Sequence, residues 1–363
     1  VSERVVACLS GGVDSSVAAA LLLDEGYDVV GVFMRSGVSD HAAGEQQGCC
    51  SVEDAMDARR VADRLGIPFY ALDMAEAFDR LIQRFVDDYA RGWTPNPCVL
   101  CNRWLKFGHV LSFARKIGAV RVASGHYVRV LQREGRWTLG RSPDSAKDQS
   151  YVLAVLSQEQ LAQVSFPLSG LTKQEVRAEA VARGFVRVAH KRDSQEICFV
   201  SGDYRELLRE RLSPDAPALQ PGDVVDSKGK LVGRHEGVAG VTLGQRKGLG
   251  VALGRPAYVQ RVDFPRRLVT VGDRSGTNRS RLEVGELSWL AQAPLREGEI
   301  LSARAQVRSH GRSHPARVQV LQDGLVEILF EDPVEAVAAG QAVVVYDPGD
   351  DFVLLSGWIR LSE

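Results

Sequence analysis

Seven consecutive residues, Ser10-Gly11-Gly12-Val13-Asp14-Ser15-Ser16, have the types needed to hold an anion. The apolar run Val5–Leu9 before them reads as a buried strand, and the helical pattern Val17–Leu23 after them stops at Gly26. A strand, a glycine turn and a helix N-terminus aim several backbone N–H groups at one point and add the positive end of a helix dipole. The glycines admit close approach and the serines are expected to add donors, so phosphate is the natural ligand. No Gly-Lys-Ser/Thr closes the loop as in a Walker A motif, and Gly-x-Gly-x-x-Gly is absent. The second chemical group is sulfur. Cys98 and Cys101 follow Thr94-Pro95-Asn96-Pro97, and Asn102 predicts the N-cap of a helix running to Lys116. Cys101 then precedes a helix N-terminus, which favours its thiolate. The same spacing fits half a zinc site, a redox pair or a structural turn. The chain has no second Cys-x-x-Cys, and the phosphate loop occupies the place where a thioredoxin-like motif would sit. Cys198, between Ile197 and Phe199, reads by itself as a core residue, as does Cys8 in the first strand. Cys49 and Cys50 read as loop thiols.

These groups need a scaffold, and the chain is long enough to supply one. It has 363 residues, 45% hydrophobic and 25% charged, with a formal net charge of −1. That is an ordinary soluble composition with ample core and room for two or three domains. Any nucleic-acid surface must therefore be a local excess of charge. No run approaches the roughly 18 apolar residues of a membrane span, and the first apolar stretch is short for a signal peptide. The expectation is no membrane association and a cytosolic protein, in which cysteines serve catalysis, metals or packing more than structural disulfides.

The first half alternates strands and helices. Strands are expected at Val29–Phe33, Ile67–Leu72 and Val120–Ser124, and helices at Ser51–Leu65 and Ala75–Arg91, ended by Gly66 and Gly92. This rhythm predicts a parallel sheet with helices on both faces, ligands lying at the carboxyl ends of the strands. The Ser10 loop, Met34 and Gly125-His126-Tyr127 should then share a crevice. From Asp148 the pattern turns helical, with capping boxes at Ser157-x-x-Gln160 and Thr172-x-x-Glu175. Glu196–Val200 reads as extended, and Ser213–Pro217 as a linker. After Pro221, short runs broken by Gly, Pro and Asp predict all-β structure, a small domain and then a barrel, divided near Gly272–Ser280. The expected domains are 1–212, 213–278 and 279–363. Val241–Leu282 holds nine Lys/Arg and two Asp. Leu301–Val320 carries Arg304, Arg308, Arg312, Arg317, His310 and His314 with no acid. Such local excess suits phosphate contacts.

The Ser10–Ser16 segment resembles the pyrophosphate loop of ATP pyrophosphatases. Taken with Phe33-Met34, Thr94-Pro95-Asn96-Pro97 ending in Cys101-Asn102, Gly125-His126-Tyr127, Lys147–Tyr151, Ile197-Cys198-Phe199 and Leu243–Gly250, the chain resembles the tRNA-specific 2-thiouridylase (tRNA-uridine 2-sulfurtransferase) family over nearly its whole length. The fold so implied is a Rossmann-like α/β pyrophosphate-loop domain, a small β-rich central domain and a C-terminal β-barrel. The resemblance implies ATP contacts at Cys8, Leu9, Ser10, Gly11, Gly12, Val13, Asp14, Ser15, Met34 and Gly125, with Asp14 a candidate to help hold Mg2+. It implies adenylation of the C2 oxygen of uridine 34, then sulfur transfer from a persulfide on Cys198, with Cys101 as the nucleophile that releases the sulfur. Contacts to tRNA are implied at Asn96, Pro97, Cys98, His126, Lys147, Asp148, Gln149, Ser309, His310 and Gln341; His126 read by itself is equally a satisfied polar residue at a strand end. A sulfur donor, either a cysteine desulfurase or a sulfur-carrier protein, is the further implied partner. Many relatives have Asp where this chain has Cys98. The branch with Cys there implies a second route, a [4Fe-4S] cluster on Cys98, Cys101 and Cys198. Both routes stand at this point.

Overall fold

The computed structural model describes residues 2–37, 51–191, 197–200, 202–251, 254–321 and 324–360. Cys49 and Cys50 lie outside them. The alternating first half folds as β1 (Arg4–Cys8), α1 (Val13–Asp24), β2 (Asp28–Arg35), α2 (Val52–Leu65), β3 (Phe69–Asp73) and α3 (Ala75–Ala90). Then come α4 (Pro97–Cys101), a π-helical stretch over Asn102–His109, α5 (Val110–Lys116) and β4 (Arg121–Ala123). A hairpin of β5 (Arg129–Arg133) and β6 (Arg136–Gly140) follows, then α6 (Ser150–Leu153), α7 (Gln158–Leu161), β7 (Val164–Ser165), α8 (Lys173–Ala182), α9 (Val186–Ala189) and α10 (Tyr204–Arg211). The five-stranded sheet has the order β3-β2-β1-β4-β7 with every pair parallel. The central β1 is buried from Val5 to Cys8, as a strand covered on both faces must be. Ser51 caps α2 in a full capping box with Asp54, and Gly66 ends it in the left-handed region at φ 67°. On α3 the stripe Phe78, Leu81, Ile82, Phe85, Val86 and Tyr89 is buried.

Three local expectations are corrected. The helix expected from Asn102 starts at Pro97, whose fixed φ suits the first helical position, and Asn102 lies inside it. Residues 197–200 turn rather than extend, with the Val200 N–H donating to the Ile197 carbonyl at 3.0 Å; Glu196 is outside the described residues. The β5–β6 hairpin interrupts what read as a passage from strand to helix.

The β-rich half has β8 (Gly222–Asp226), β9 (Leu231–His235), β10 (Tyr258–Asp263) and β11 (Leu268–Gly272) in a sheet ordered β10-β11-β8-β9. A closed barrel follows, built from β12 (Arg279–Trp289), β13 (Ile300–Gln306), β14 (His314–Val320), β15 (Val326–Val334), β16 (Ala342–Tyr346) and β17 (Val353–Arg360), all antiparallel. Tyr346 and Trp358 of the barrel join the same hydrophobic cluster as Phe85 and Tyr151 of the first half. The Tyr151 hydroxyl donates to the Ala342 carbonyl and the Ser356 hydroxyl to the Ala154 carbonyl, each at 2.7 Å. The barrel is thereby packed onto the layer that carries the thiols. Among the described residues no helix is long and apolar enough to cross a membrane.

Candidate nucleotide and thiol site

The phosphate loop leaves β1 at its carboxyl end, where the Leu9 N–H still donates to the Val32 carbonyl at 2.8 Å. Gly12 is the N-cap of α1 and, having no side chain, makes no cap bond to the first-turn N–H groups. Gly11 has φ +71°, and a Cβ built on it would stand 2.3 Å from the Asp54 carbonyl oxygen of α2. Only glycine fits there. The serines differ from expectation. Ser15 and Ser16 are buried, and their hydroxyls donate to the Gly12 carbonyl at 3.1 and 2.8 Å. The Ser10 N–H donates to Ser15 Oγ at 3.1 Å. Two hydroxyls therefore fix the shape of the loop, and the side chain of Ser10 stays exposed at its mouth.

Charged neighbours come from far along the chain. Lys173, the first residue of α8, donates from Nζ to both carboxylate oxygens of Asp14, at 2.8 and 2.7 Å. The Tyr127 hydroxyl donates to Asp14 Oδ1 at 2.7 Å. Lys191 donates to the Gly11 carbonyl at 3.2 Å, to Asp54 at 2.6 Å and to Asp57 at 3.0 Å. Sequence reasoning missed both lysines. The capping box at Thr172 put Lys173 at a helix start, but nothing in the order of residues aimed that start at residue 14. Gly125 touches the loop as well, since a Cβ there would lie 2.6 Å from the Asp14 carbonyl carbon. Met34, half-buried at the end of β2, is paired in register with Leu72 of β3.

A chain of hydrogen bonds joins this cradle to the thiol helix. Tyr127 donates its N–H to Gln149 Oε1 at 2.9 Å and accepts from the Gln149 N–H at 3.0 Å. Gln149 leads into α6, and the Val152 carbonyl of α6 accepts from Asn102 Nδ2 at 3.1 Å. Asn102 follows Cys101, where the α-helix widens into the π-helical stretch. Cys98 is exposed in the first turn of α4, and Cys101 is half-buried one turn on. The dipole argument made for Cys101 therefore applies first to Cys98. Cys198 is half-buried, and Phe199 beside it packs edge-on against Phe85 of α3, with ring centroids 5.3 Å apart. Cys101 and Cys198 both border the cluster that contains α3 and α4. Cys8 is buried in β1 and burial pushes its thiol up to about 12, so it is a packing residue whose backbone leads into the loop.

The residues expected to meet RNA divide. His126 is 7% exposed, its Nδ1 lies 2.7 Å from Ser124 Oγ, and its ring packs near Phe107 and Phe166. Burial, with Lys106 nearby, holds its pKa well below 6.5. It is a neutral core histidine in this conformation. The Asp148 carboxylate is turned inward, accepting from Arg141 at 2.8 Å, the Ser142 N–H at 3.0 Å and the Ser150 hydroxyl at 2.7 Å. Gln341 donates to the Thr94 carbonyl at 2.7 Å, tying the barrel to the approach of the thiol helix. Pro97 is buried and Asn96 half-buried. Lys147 and Ser309 are half-buried and His310 is exposed. Gln306 Nε2 donates to the carbonyls of Arg308 and Ser309 at 3.0 Å each, fixing that basic turn on the barrel.

Among the described residues no three His, Cys, Asp or Glu side chains stand together as a metal site. Both oxygens of Asp14 already accept from Lys173. Among the described residues, in this conformation, neither a magnesium ligand set at Asp14 nor a three-cysteine cluster is assembled.

Comparison with known proteins accounts for nearly the whole chain. Residues 3–202 match the family described as tRNA methyl transferase HUP domain, 212–278 the tRNA methyl transferase PRC-barrel domain, and 279–359 the aminomethyltransferase beta-barrel domain. The chain is 46% identical over 365 residues to the tRNA-specific 2-thiouridylase MnmA of Geotalea uraniireducens, covering 99% of this chain and 95% of that one. It is 45% identical over 363 residues to the namesake from Chloroflexus aurantiacus, covering 99% of each. With that of Rhodopirellula baltica it shares 41% identity over 391 residues, 98% of this chain and 96% of the relative.

Proposed function

The chain belongs to the tRNA-specific 2-thiouridylase family, and on that premise we propose that it uses ATP to replace the C2 oxygen of uridine 34 in tRNA with sulfur. The observation that carries the reading is the hydrogen-bonded path from Asp14 through Tyr127 and Gln149 to α6, and from α6 to Asn102 beside Cys101. It ties an anion cradle to a thiol 87 residues further along the chain, from Asp14 to Cys101.

An amide-like C2 oxygen is a poor leaving group, and adenylation corrects that. The C2 oxygen bonds to the α-phosphorus as the bond to the bridging oxygen of pyrophosphate breaks; that oxygen keeps the electron pair, and the N3 proton passes to solvent. The first-turn N–H groups of α1 hold the phosphates throughout. The terminal sulfur of a Cys198 persulfide then attacks C2 and AMP departs with the C2–O electron pair. The Cys101 thiolate attacks Cys198 Sγ, the S–S bond breaks with its electron pair on the nucleobase sulfur, and a Cys101–Cys198 disulfide forms. A dithiol reductant restores both thiols. A persulfide-bearing donor, a cysteine desulfurase or sulfur-carrier protein, reloads Cys198 by exchange. This route needs two thiols, and both border one cluster; Cys98, exposed, is left without a part in it.

The target base must leave its stack for C2 to be reached. The basic turn Arg308–Arg312 and the stripe from Val241 to Leu282 supply the phosphate contacts that hold the anticodon arm. The units that divide this work are 1–212 for chemistry, 213–278 and 279–363 for RNA. The test is pyrophosphate release from ATP on addition of unmodified tRNA. Release with tRNA supports the proposal, and release with a small carboxylic acid in its absence points to another adenylating ligase instead.

A further inference from the structure

Lys173 stands between two helix N-termini, with its ammonium on the carboxylate of the phosphate loop. It occupies the first position of α8, a ten-residue helix, so its own helix presents its positive end there. Its ammonium is aimed at Asp14, in the first turn of α1, so it also faces the positive end of a second helix. The side chain is only 11% exposed. Its backbone N–H is fixed by Asp144 Oδ2 at 3.0 Å, and its Nζ lies 5.9 Å from the Tyr127 ring. Asp14, 32% exposed and on the loop itself, takes the ammonium, while the Asp144 and Glu175 carboxylates accept from backbone N–H groups at the start of α8. An ion pair so placed contributes little to stability once desolvation is counted. It does place an ammonium beside the loop.

Lys191 shows the contrast. It touches the Gly11 carbonyl, but two buried carboxylates, Asp54 and Asp57, hold it. Its charge is spent within the protein, and its contact is with the backbone of the loop.

We infer that Lys173 is the leaving-group cation of the nucleotide site: it bridges Asp14 and the departing pyrophosphate. The inference rests on the ATP reading given above. When the bond between the α-phosphorus and the bridging oxygen breaks, the electron pair and one further negative charge remain on pyrophosphate. Lys173 meets that charge without giving up a proton. It also cancels the repulsion that Asp14 would exert on a polyanion. Its interaction strengthens as the bond breaks, so its loss is felt in turnover more than in ATP binding.

The test compares wild type, Lys173→Arg, Lys173→Met, Asp14→Asn and the Asp14→Asn/Lys173→Met double variant. Direct binding of inorganic pyrophosphate is measured by calorimetry, and tRNA-dependent pyrophosphate release by kinetics. Lys173→Met is expected to lower kcat about 100-fold with a smaller change in KM for ATP, and Lys173→Arg to recover most of it. Pyrophosphate affinity should fall about tenfold, and should fall by a similar factor when the lysine is removed on the Asp14→Asn background. That background leaves no unpaired carboxylate, so a purely structural role is silent in it. A change within about twofold there would overturn the inference, leaving neutralisation of Asp14 as the whole role. Wild type that binds pyrophosphate without tRNA-dependent turnover would remove the thiolation reading while the binding ratio still upheld Lys173. Wild type that binds no pyrophosphate would sink both.

Discussion

The phosphate cradle and the thiol helix are built in opposite ways. In the cradle the supporting groups are fixed: Ser15 and Ser16 bond to the Gly12 carbonyl, Gly11 is pressed on α2, and Asp14 is held by Lys173 and Tyr127. The thiols ride on short elements. Cys98 and Cys101 sit on a five-residue helix that passes at once into π-helical geometry, and Cys198 on a turn anchored by Phe199. Among the described residues Asn102, at that change of helix type, keeps a buried Oδ1 with no hydrogen-bond partner. Phosphoryl transfer is served by donors that need no reorganisation. A sulfur relay instead needs two thiols that meet, exchange and part, and π-helical segments frequently mark such sites. On the proposed mechanism, the phosphate half-reaction has a seat fixed by hydrogen bonds and the sulfur half-reaction one carried on short elements.

The largest effect that would break this comparison is expected in the cradle. Gly11→Ala puts a methyl 2.3 Å from the Asp54 carbonyl at a positive φ, so loop and α2 must part. The strain is about 1–3 kcal/mol, and tRNA-dependent pyrophosphate release should fall below detection while tRNA binding persists. Normal release from this variant, with a thermal midpoint like that of the wild type, would show that the loop is pliable after all.

A smaller effect sharpens the comparison at the seam between the two regions. His126 packs near Phe107 of the thiol helix and bonds Ser124 at the end of β4. Burial, then Lys106, depresses its pKa well below 6.5. The unfolded chain takes up a proton there below about pH 6.5 and the folded chain does not, so stability is full above that pH and falls as pH is lowered. The slope due to this residue is up to about 1.4 kcal/mol per pH unit. Urea midpoints from pH 6.5 to 5.5 should drop less steeply in His126→Phe than in wild type. Equal slopes would mean that the imidazole is charged in the folded protein.

The cradle was legible in the sequence because it is local: strand, glycines and helix start are consecutive, and backbone geometry follows from their order. The parallel sheet and the closing barrel were legible from alternating periodicity. What escaped was set by packing across the chain. The two serines carry the donors expected of them but spend them inward on Gly12. Lys173 and Lys191 reach the loop from more than 150 residues away. Pro97 starts the helix for which the sequence predicts a cap at Asn102, because a proline at the first helical position competes well with an N-cap five residues later. Asp148, Gln149 and Gln341 belong to motifs that resemble tRNA contacts, yet each makes an internal bond that positions another element.

The central claim is that Cys101 and Cys198 act as a pair on a base activated at the cradle. Mass analysis of the nucleoside at tRNA position 34 tests it, after incubation with ATP, a persulfide donor and wild type, Cys101→Ser or Cys198→Ser. The wild type should yield 2-thiouridine, and each serine variant none above background, with tRNA affinity held within about threefold because phosphate contacts dominate it. Full 2-thiouridine formation by either serine variant would contradict the account.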